Sequence, residues 1–507
     1  MAQEVSPANI QHYFNPHNES PDDRIKQIVE SPVFAEFEAW VGQYVEGNLT
    51  LERLQTGESL VARRRELFKE LIGLAPETAL KRAISDEMRN RLPASIALHL
   101  EREISAYGDL QVYQMDLVDH SNGKLTGHRT ERLAVIGEAK YKAFVFGRRE
   151  SMTTKLRIPL HGVVLEDVMA VDETPLRKIE LAEYERKGVD AARLGEHGIA
   201  AETGGEIAYF SNQAELDDYV RGQIEWETKI GPRRPQENLT AEESASPWTE
   251  GLKTVLVIRV DFPDRPGEPL GWDNQPLTVE RAQNIFANEI NPFFINNSFN
   301  KTSMQATVTP VFRMPQPQSF YAQGFNYTIM QTDAENAARA AGFEANNFNL
   351  DVFAFSNSNA FPFGGLANIG GKGAWLNGYF EFRVSAHELG HNYGLKHANR
   401  WLTRDGTVIG AGNNDEYGDG FDLMGSGRTA STHFNAFYKR RMDWLTDSNI
   451  QTVTANGIYR VFMHDSAAPG GMRVLKIRKN PTKTYWVEFR QLLTNNQFAM
   501  NGAMIRW

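Results

Sequence analysis

The sequence predicts an α+β protein built from more than one domain. Its 507 residues are too many for a single hydrophobic core. Hydrophobic residues make up 41% of the chain and charged residues 23%, which is the balance of an ordinary globular protein. Apolar residues repeat with a helical period in some stretches and alternate in others, so helices and strands are both expected. A stretch rich in Pro, Ser and Glu at 231–250 predicts a linker between an N-terminal and a C-terminal part.

The N-terminal part, residues 1–230, is expected to be an α+β domain. Apolar residues recur at helical spacing through 20–105, which predicts a mostly helical start. From about residue 110 the spacing becomes that of strands, and Asn122-Gly123 predicts a hairpin turn. Residues 174–225 return to a charged pattern of helical period, so helices are expected there. The predicted strands of this part are 111–118, 132–136, 142–146 and 155–160.

Residues 251–448 form the next predicted domain, in which strands and helices alternate. The stretch 254–262 is almost continuously apolar, as in a strand that is covered on both faces. The glycine-rich stretch 364–378 predicts one edge strand beside a cleft. Further strands are expected near 306–312 and 350–355, and helices near 277–292 and 331–342.

The last residues, 449–507, predict a β-rich C-terminal segment. Residues 503–507 predict a strand with no terminal turn after it, so we expect the segment to be truncated. The other strands predicted here are 452–454, 458–462, 474–477 and 484–489.

A histidine motif lies within 251–448, on the helix expected after the glycine-rich stretch. His387, Glu388, His391, Gly394 and His397 have the spacing H-E-x-x-H-x-x-G-x-x-H. His387 and His391 are one helical turn apart, so both imidazoles leave the same face and can share one metal ion. Gly394 permits a sharp turn that brings His397 back as a third ligand. Three protein ligands leave one position for water, which is typical of a catalytic zinc site, and Glu388 is placed to take the proton of that water.

The rest of this helix has the pattern of a packed element. Phe382, Ala386, Leu389 and Tyr393 share the side opposite the histidines, so one face is expected to pack and the other to face a cleft. The alternative is that these are unrelated surface histidines on an amphipathic helix. Five residues at fixed offsets make that alternative improbable.

The stretch 416–426, which ends in Leu-Met-Gly-Ser, resembles the Met-turn of the metzincin proteases. By this resemblance Met424 lies beneath the imidazoles as a hydrophobic floor and is not a ligand. Some metzincins have a tyrosine two residues later, where it assists the transition state, but Ser426 stands there in this chain. Tyr417 and Tyr438 are the candidates for that role, although a structural role is favoured for both.

Within the metzincins, residues 250–507 resemble the gametolysin family, including its bacterial members. The resemblance is carried by the histidine motif, by 417–419 with 424–426, by 434–436 ahead of 444–445, and by 485–490. It implies a secreted zinc endopeptidase with a metzincin-like domain, a twisted mixed sheet plus the active-site helix. It also implies protein or glycoprotein substrates outside the cell, which pair with 364–378 by strand addition. The alternatives are a catalytically weak relative that contains zinc and binds glycoprotein, and a zinc hydrolase that is not a peptidase.

The position of 1–230 ahead of the protease-like part suggests a removable pro-domain, and the alternative is a permanent accessory domain. The chain has no cysteine, so a thiolate cannot silence the zinc. A latch in this region must therefore use a carboxylate, an imidazole, a backbone carbonyl or steric cover.

The remaining expectations concern partners and location. The net charge of −10 argues against nucleic acid as a partner, and no apolar run is long enough to span a membrane. The first residues lack the pattern of a signal peptide, so the secreted location rests on the family resemblance. Oxygen-rich loops can bind Ca²⁺, but a solvated acidic loop is the favoured interpretation of the acidic stretch after His397. Its residues are Asp405, Asn413, Asn414, Asp415, Glu416, Asp419 and Asp422.

Overall fold

The computed structural model describes residues 20–47, 51–233, 248–427, 432–467, 470–481, 483–492 and 502–507. The chain forms two compact units. The first consists of the residues up to Val112 together with Glu131–Lys229, and the second of Tyr113–Thr130 together with Ile230–Trp507. Most of the predicted linker, 234–247, lies outside the described residues, so the domain boundaries at 230, 250 and 448 stay predictions.

The first unit begins with helices, as the sequence predicts. The longest of them buries Phe68, Leu71 and Ile72 in one apolar cluster. The helices are Pro21–Val29, Pro32–Val45, Leu51–Leu74, Pro76–Arg82, Asp86–Asn90, Ala94–Ala97, Tyr184–Lys187 and Gln213–Thr228, with 3₁₀ turns at Gly147–Ser151, Leu181–Glu183 and Ala191–Arg193. The strands are Ala139–Phe144, Lys155–Leu165, Val168–Val171, Arg177–Lys178, Ile199–Thr203 and Glu206–Phe210, and Arg102–Asp119 and Lys124–Ile136 each lie partly in this unit.

The helical expectation for 174–225 is wrong at residues 199–210. Ile199–Thr203 and Glu206–Phe210 form an antiparallel hairpin there. The two residues between the strands, Gly204 and Gly205, both have positive φ, at 59° and 85°. A pair of residues with positive φ is what a tight hairpin turn requires, and glycine takes that conformation without steric cost. The Gly-Gly pair was therefore a hairpin signal that outweighs the helical period of its neighbours.

The second unit contains a mixed sheet, which confirms the α+β class. Gly251–Asp261 pairs in parallel with Thr302–Arg313 on one side and with Leu350–Phe355 on the other. Leu350–Phe355 also pairs in parallel with Ala374–Asn377. The glycine-rich stretch supplies two strands and not one, because Phe363–Asn368 pairs antiparallel with Ala374–Asn377. Phe363–Asn368 is named the edge strand below after the sequence prediction, although its other side pairs with residues 113–117.

Helices and small sheets complete the second unit. No helix among the described residues is long and apolar enough to cross a membrane. The helices are Val279–Ile285, the π-turn Phe286–Ile290, Asn291–Ser298, Gln318–Tyr321, Tyr327–Ala340, Phe382–Asn392 and Ala436–Arg441, with 3₁₀ turns at Ala345–Asn347 and Asp447–Asn449. A short hairpin joins Arg400–Thr403 to Gly412–Asp415. The C-terminal sheet has the order Ile450–Val453, Val474–Arg478, Thr484–Phe489 and Ala503–Arg506.

One predicted C-terminal strand is wrong. Residues 458–462 form no strand, and the Ile458 side chain is fully exposed. The β-branched and aromatic residues of this stretch favour a strand, but a strand forms only where a neighbouring strand pairs with it. The strand expected from 503–507 is present, and it pairs with Thr484–Phe489.

Candidate metal centre

The helix Phe382–Asn392, named the motif helix below, presents the histidine motif. Phe382, Ala386, Leu389 and Tyr393 all lie in the main apolar cluster of the second unit, as the period predicts. Gly394 ends the helix with φ near 90°, and its N–H donates to the His391 carbonyl. A side chain is strained at this φ, so glycine permits the turn. The other face, which carries His387, Glu388 and His391, is buried as well, and the cleft that it is expected to face stays a prediction.

Three imidazoles converge beside the motif helix. The ring centroids of His387, His391 and His397 lie between 4.8 and 5.3 Å apart. His387 Nδ1 is 2.8 Å from the Leu423 carbonyl oxygen, and His391 Nδ1 is 2.8 Å from that of Leu395. An Nδ1–H that donates to a carbonyl leaves Nε2 as a lone-pair donor, so both rings have the tautomer that a metal needs.

The donor set fits a metal ion such as zinc. The Nε2 atoms of the three imidazoles are buried and make no hydrogen bond to any described residue. A buried polar atom without a partner is costly, and one shared cation would satisfy all three nitrogens at once. Burial lowers the pKa of His387 to about 4 and moves that of His391 the same way. Both rings are therefore neutral near pH 7, which is the form that binds metal.

The third histidine has a carboxylate partner that the sequence did not identify. His397 Nδ1 lies 2.9 Å from Glu416 Oε1, and Asn399 donates to the other oxygen of Glu416 at 2.8 Å. Burial lowers the pKa of His397, but the carboxylates of Asp116 and Glu416 outweigh it, and the net shift is upward. A carboxylate behind a metal-binding histidine fixes the ring and makes it a better ligand. Glu416 is one residue of the acidic stretch after His397, and its spacing did not distinguish it from the other acidic residues there.

Glu388 lies next to this histidine cluster with both carboxylate oxygens buried. Neither oxygen has a hydrogen-bond partner among the described residues. Burial and the nearby Asp116 raise the pKa of Glu388 well above its ordinary value. A carboxyl with a raised pKa readily accepts a proton near neutral pH, which suits a general base. The edge strand approaches so closely that a Cβ at Gly365 would collide with Glu388 Oε1.

Asp116 is the second residue that the sequence did not identify. Its two carboxylate oxygens lie 3.5 Å from His387 Nε2 and 3.2 Å from His397 Nε2. With His391 these residues form a buried group whose candidate ligand atoms all lie within 4.8 Å of one another. Burial raises the pKa of Asp116, but His387 and His397 outweigh it and hold the pKa below its usual range. The available signal was an acidic residue between Met115 and Leu117, within the strand predicted at 111–118.

Residues 255–497 match the sequence profile described as Gametolysin peptidase M11. This part of the chain belongs to the gametolysin peptidase family. The match starts in the first strand of the mixed sheet and includes the motif helix and Met424. Membership of this family indicates that the chain is a protease. Protein is therefore the class of its substrate. No curated protein matches the chain.

The methionine of the gametolysin-family part lies in the core beneath the motif helix. Met424 is fully buried, and a Cβ at Gly390 would collide with its sulfur atom. Asp422 orders this turn, since one of its oxygens accepts from the Met424 N–H at 2.9 Å and the other from Asn435. The position agrees with a hydrophobic floor under the imidazoles.

The two tyrosine candidates of the gametolysin-family part differ in position. Tyr417 donates a hydrogen bond to Asp116, and its ring centroid is 3.8 Å from that of His397. Tyr438 donates instead to the carbonyl oxygens of Lys396 and His397, at 2.8 Å each. Tyr438 thus holds the loop that carries the third histidine, whereas the hydroxyl of Tyr417 lies at the metal centre itself.

Carboxylates in the acidic stretch of the gametolysin-family part form ion pairs with arginines of the same chain. Asp415 pairs with Arg400 at 2.7 Å, and Asp419 pairs with Arg506. Among the described residues, the groups of candidate metal ligands are the one with Asp116 and a second one of His128, His397 and Glu416. A calcium site in this stretch stays a prediction.

Proposed function

We propose that the chain is a zinc-dependent endopeptidase with His387, His391 and His397 as metal ligands and Glu388 as catalytic base. The observation that carries the proposal is the convergence of three buried Nε2 atoms that have no hydrogen-bond partner, beside a buried carboxylate. Zinc at this position supplies a Lewis acid and lowers the pKa of water. Membership of a peptidase family supports the peptide bond as the bond that is hydrolysed.

Glu388 moves the proton in this mechanism. Its carboxylate accepts a proton from the attacking water and later delivers it to the amine of the leaving group. The raised pKa of Glu388 suits both steps, because the group holds the proton between them.

The edge strand is the place where an extended substrate would bind. Its residues Gly364 and Gly365 carry no side chains, so another backbone can approach closely. An extended peptide that pairs with such an edge gains main-chain hydrogen bonds whatever its sequence. This position would bring the scissile carbonyl next to Glu388. The metzincin-like architecture, the secreted location and the extracellular protein or glycoprotein substrates belong to the same proposal and rest on the family.

Metal analysis and a cleavage assay test the proposal together. We expect one zinc per chain, and cleavage of unfolded casein by the full chain after limited trypsin digestion and trypsin inhibition. A chelator should abolish this cleavage, and added zinc should restore it. The matched control is Glu388→Gln treated in the same way, which should keep zinc and lose about 10²-fold or more in rate.

The outcomes separate the alternatives. Zinc binding with equal, negligible cleavage by the wild type and by Glu388→Gln would indicate a glycoprotein-binding relative or another hydrolase. Near-normal turnover by Glu388→Gln would place the base elsewhere.

A further inference from the structure

We propose that Asp116 is the fourth ligand of the metal in the intact chain, and that residues 113–130 keep the site closed to water and substrate. This inference rests on the proposed function, since it assumes zinc on the three histidines. Residues 113–130, named the latch hairpin below, belong to the same compact unit as the motif helix. They lie outside the part of the chain that matches the peptidase family.

The first argument is the position of the Asp116 carboxylate. It lies on the side of His387 and His397 where their Nε2 atoms point, at 3.5 and 3.2 Å. Neither contact has the geometry of a hydrogen bond, so each Nε2 atom remains free to bind a metal. Four protein ligands make a closed zinc site, whereas a catalytic site keeps one position for water. Asp116 therefore occupies the position that hydrolysis needs.

The second argument is independent and concerns the backbone. Residues 113–117 pair antiparallel with the edge strand, and Asp116 lies opposite Gly365. The register shifts between Asp116 and Leu117. Such an irregularity bends a strand and redirects its side chains. The latch hairpin thus occupies the edge to which an extended substrate would add, at the residues next to Glu388.

The third argument is that the latch hairpin is held on both sides of Asp116. The Tyr113 ring packs edge-on against Tyr327 and Trp375, with centroids 5.0 and 6.0 Å away. Beyond Asp116, the His120 ring stacks on Trp272, and its Nε2 lies 2.6 Å from the Phe361 carbonyl oxygen.

The returning strand of the latch hairpin also reaches the metal centre. His128 Nε2 lies 3.6 Å from Glu416 Oε1, and its ring centroid is 5.5 Å from that of His397. The Tyr379 hydroxyl donates to the Gly123 carbonyl at 3.3 Å, which ties down the tip. These contacts hold the carboxylate at the centre without a covalent bond.

A latch of this kind suits a chain without cysteine. The latch hairpin and the motif helix lie on one polypeptide, so the carboxylate is present at a high effective concentration. A cut between them would turn the contact into an association between two molecules, which dilution weakens. The predicted linker 231–250 lies in that interval.

The test uses the full chain with Co²⁺ in place of zinc and acetohydroxamate as the probe. Hydroxamate binds a metal only where ligand positions are open, and its binding changes the visible spectrum of Co²⁺. We expect no saturable change for the wild type and a saturable change for Asp116→Ala. Asp116→Asn keeps the shape of the side chain, so it carries the test if the alanine variant does not fold. Asp119→Asn is the matched control, because Asp119 lies in the latch hairpin but bonds only locally to Ser121 and Asn122.

A second readout needs no enzymatic activity. Loss of Asp116 should speed the release of zinc to a chelator at least about tenfold, the lower bound known for loss of an outer-shell partner of a metal site. Equal hydroxamate titrations of the wild type and both Asp116 variants would overturn the latch.

A casein assay separates the latch from the proposed function. The trypsin-treated wild type should cleave casein, whereas the uncut wild type should not, because residues 113–117 still occupy the edge strand. Uncut wild type that cleaves as fast as the trypsin-treated chain contradicts the latch and leaves the peptidase intact. Variants that bind hydroxamate but never cleave casein, cut or uncut, contradict the peptidase and leave the latch intact.

Discussion

Gly365 lies so close to Glu388 that any side chain at this position of the edge strand would displace the Glu388 carboxylate. A Cβ built on Gly365 collides with Oε1, the carboxyl carbon and Cγ of Glu388. Glu388 is fully buried, so a displaced carboxylate would also disturb the residues packed around it. The backbone of the edge strand therefore positions the proposed catalytic base, and the proposed places of substrate binding and of proton transfer adjoin each other.

Gly365→Ala should lower the rate of casein cleavage about 10²-fold, the typical effect of displacing a catalytic group by about 1 Å. Zinc content should be unchanged, because none of the proposed ligands moves. The assay compares trypsin-treated chains. Gly420→Ala is the control, since the nearest atom to a Cβ there is Ser426 Oγ at 3.6 Å. Equal rates for Gly365→Ala and the control would contradict the prediction.

His391→Ala should lose most of the bound zinc, because two imidazoles and a carboxylate hold the ion far less tightly than the full set. Metal analysis after gel filtration measures the loss. His197→Ala, at an exposed position of the first unit, should keep one zinc per chain. Full zinc content in His391→Ala would show that the ligand assignment is wrong.

Glu416→Ala should weaken zinc binding about 10- to 100-fold, because His397 loses the carboxylate that orients its ring. Competition with a chelator of known affinity measures the change. Asp415→Ala is the matched control, since the neighbouring carboxylate pairs with Arg400 and not with a histidine. If both variants bind zinc like the wild type, Glu416 does not tune the centre.

Met424→Ala should lower the free energy of unfolding by about 2–5 kcal/mol without loss of zinc, because a fully buried side chain is removed from a packed core. Urea unfolding and metal analysis provide the two measurements. Met424→Leu conserves the volume and should cost less than about 1.5 kcal/mol. Zinc loss in Met424→Leu with stability unchanged would instead point to a role of the sulfur atom in binding.

The structure departs from the sequence-based expectations where partners are distant in the chain. The sequence predicts one edge strand in 364–378, but the structure has two strands there. The number of strands depends on which neighbours pair. Residues 458–462 are rich in residues that favour strands, but they pair with no strand of the described part of the chain. In both cases the local pattern was right and the pairing partner was the missing information.

The sequence by itself determined the proposed histidine ligands, the base and the methionine beneath them. The helical repeat brings His387 and His391 to one face, and the glycine turn returns His397, so local geometry is sufficient. Only the tertiary structure decided that Asp116 and Glu416 complete the centre. Asp116 reaches it through strand pairing, and its partner Tyr417 is 301 positions away in the chain. Strand pairing depends on contacts across the whole fold, and no local period encodes it.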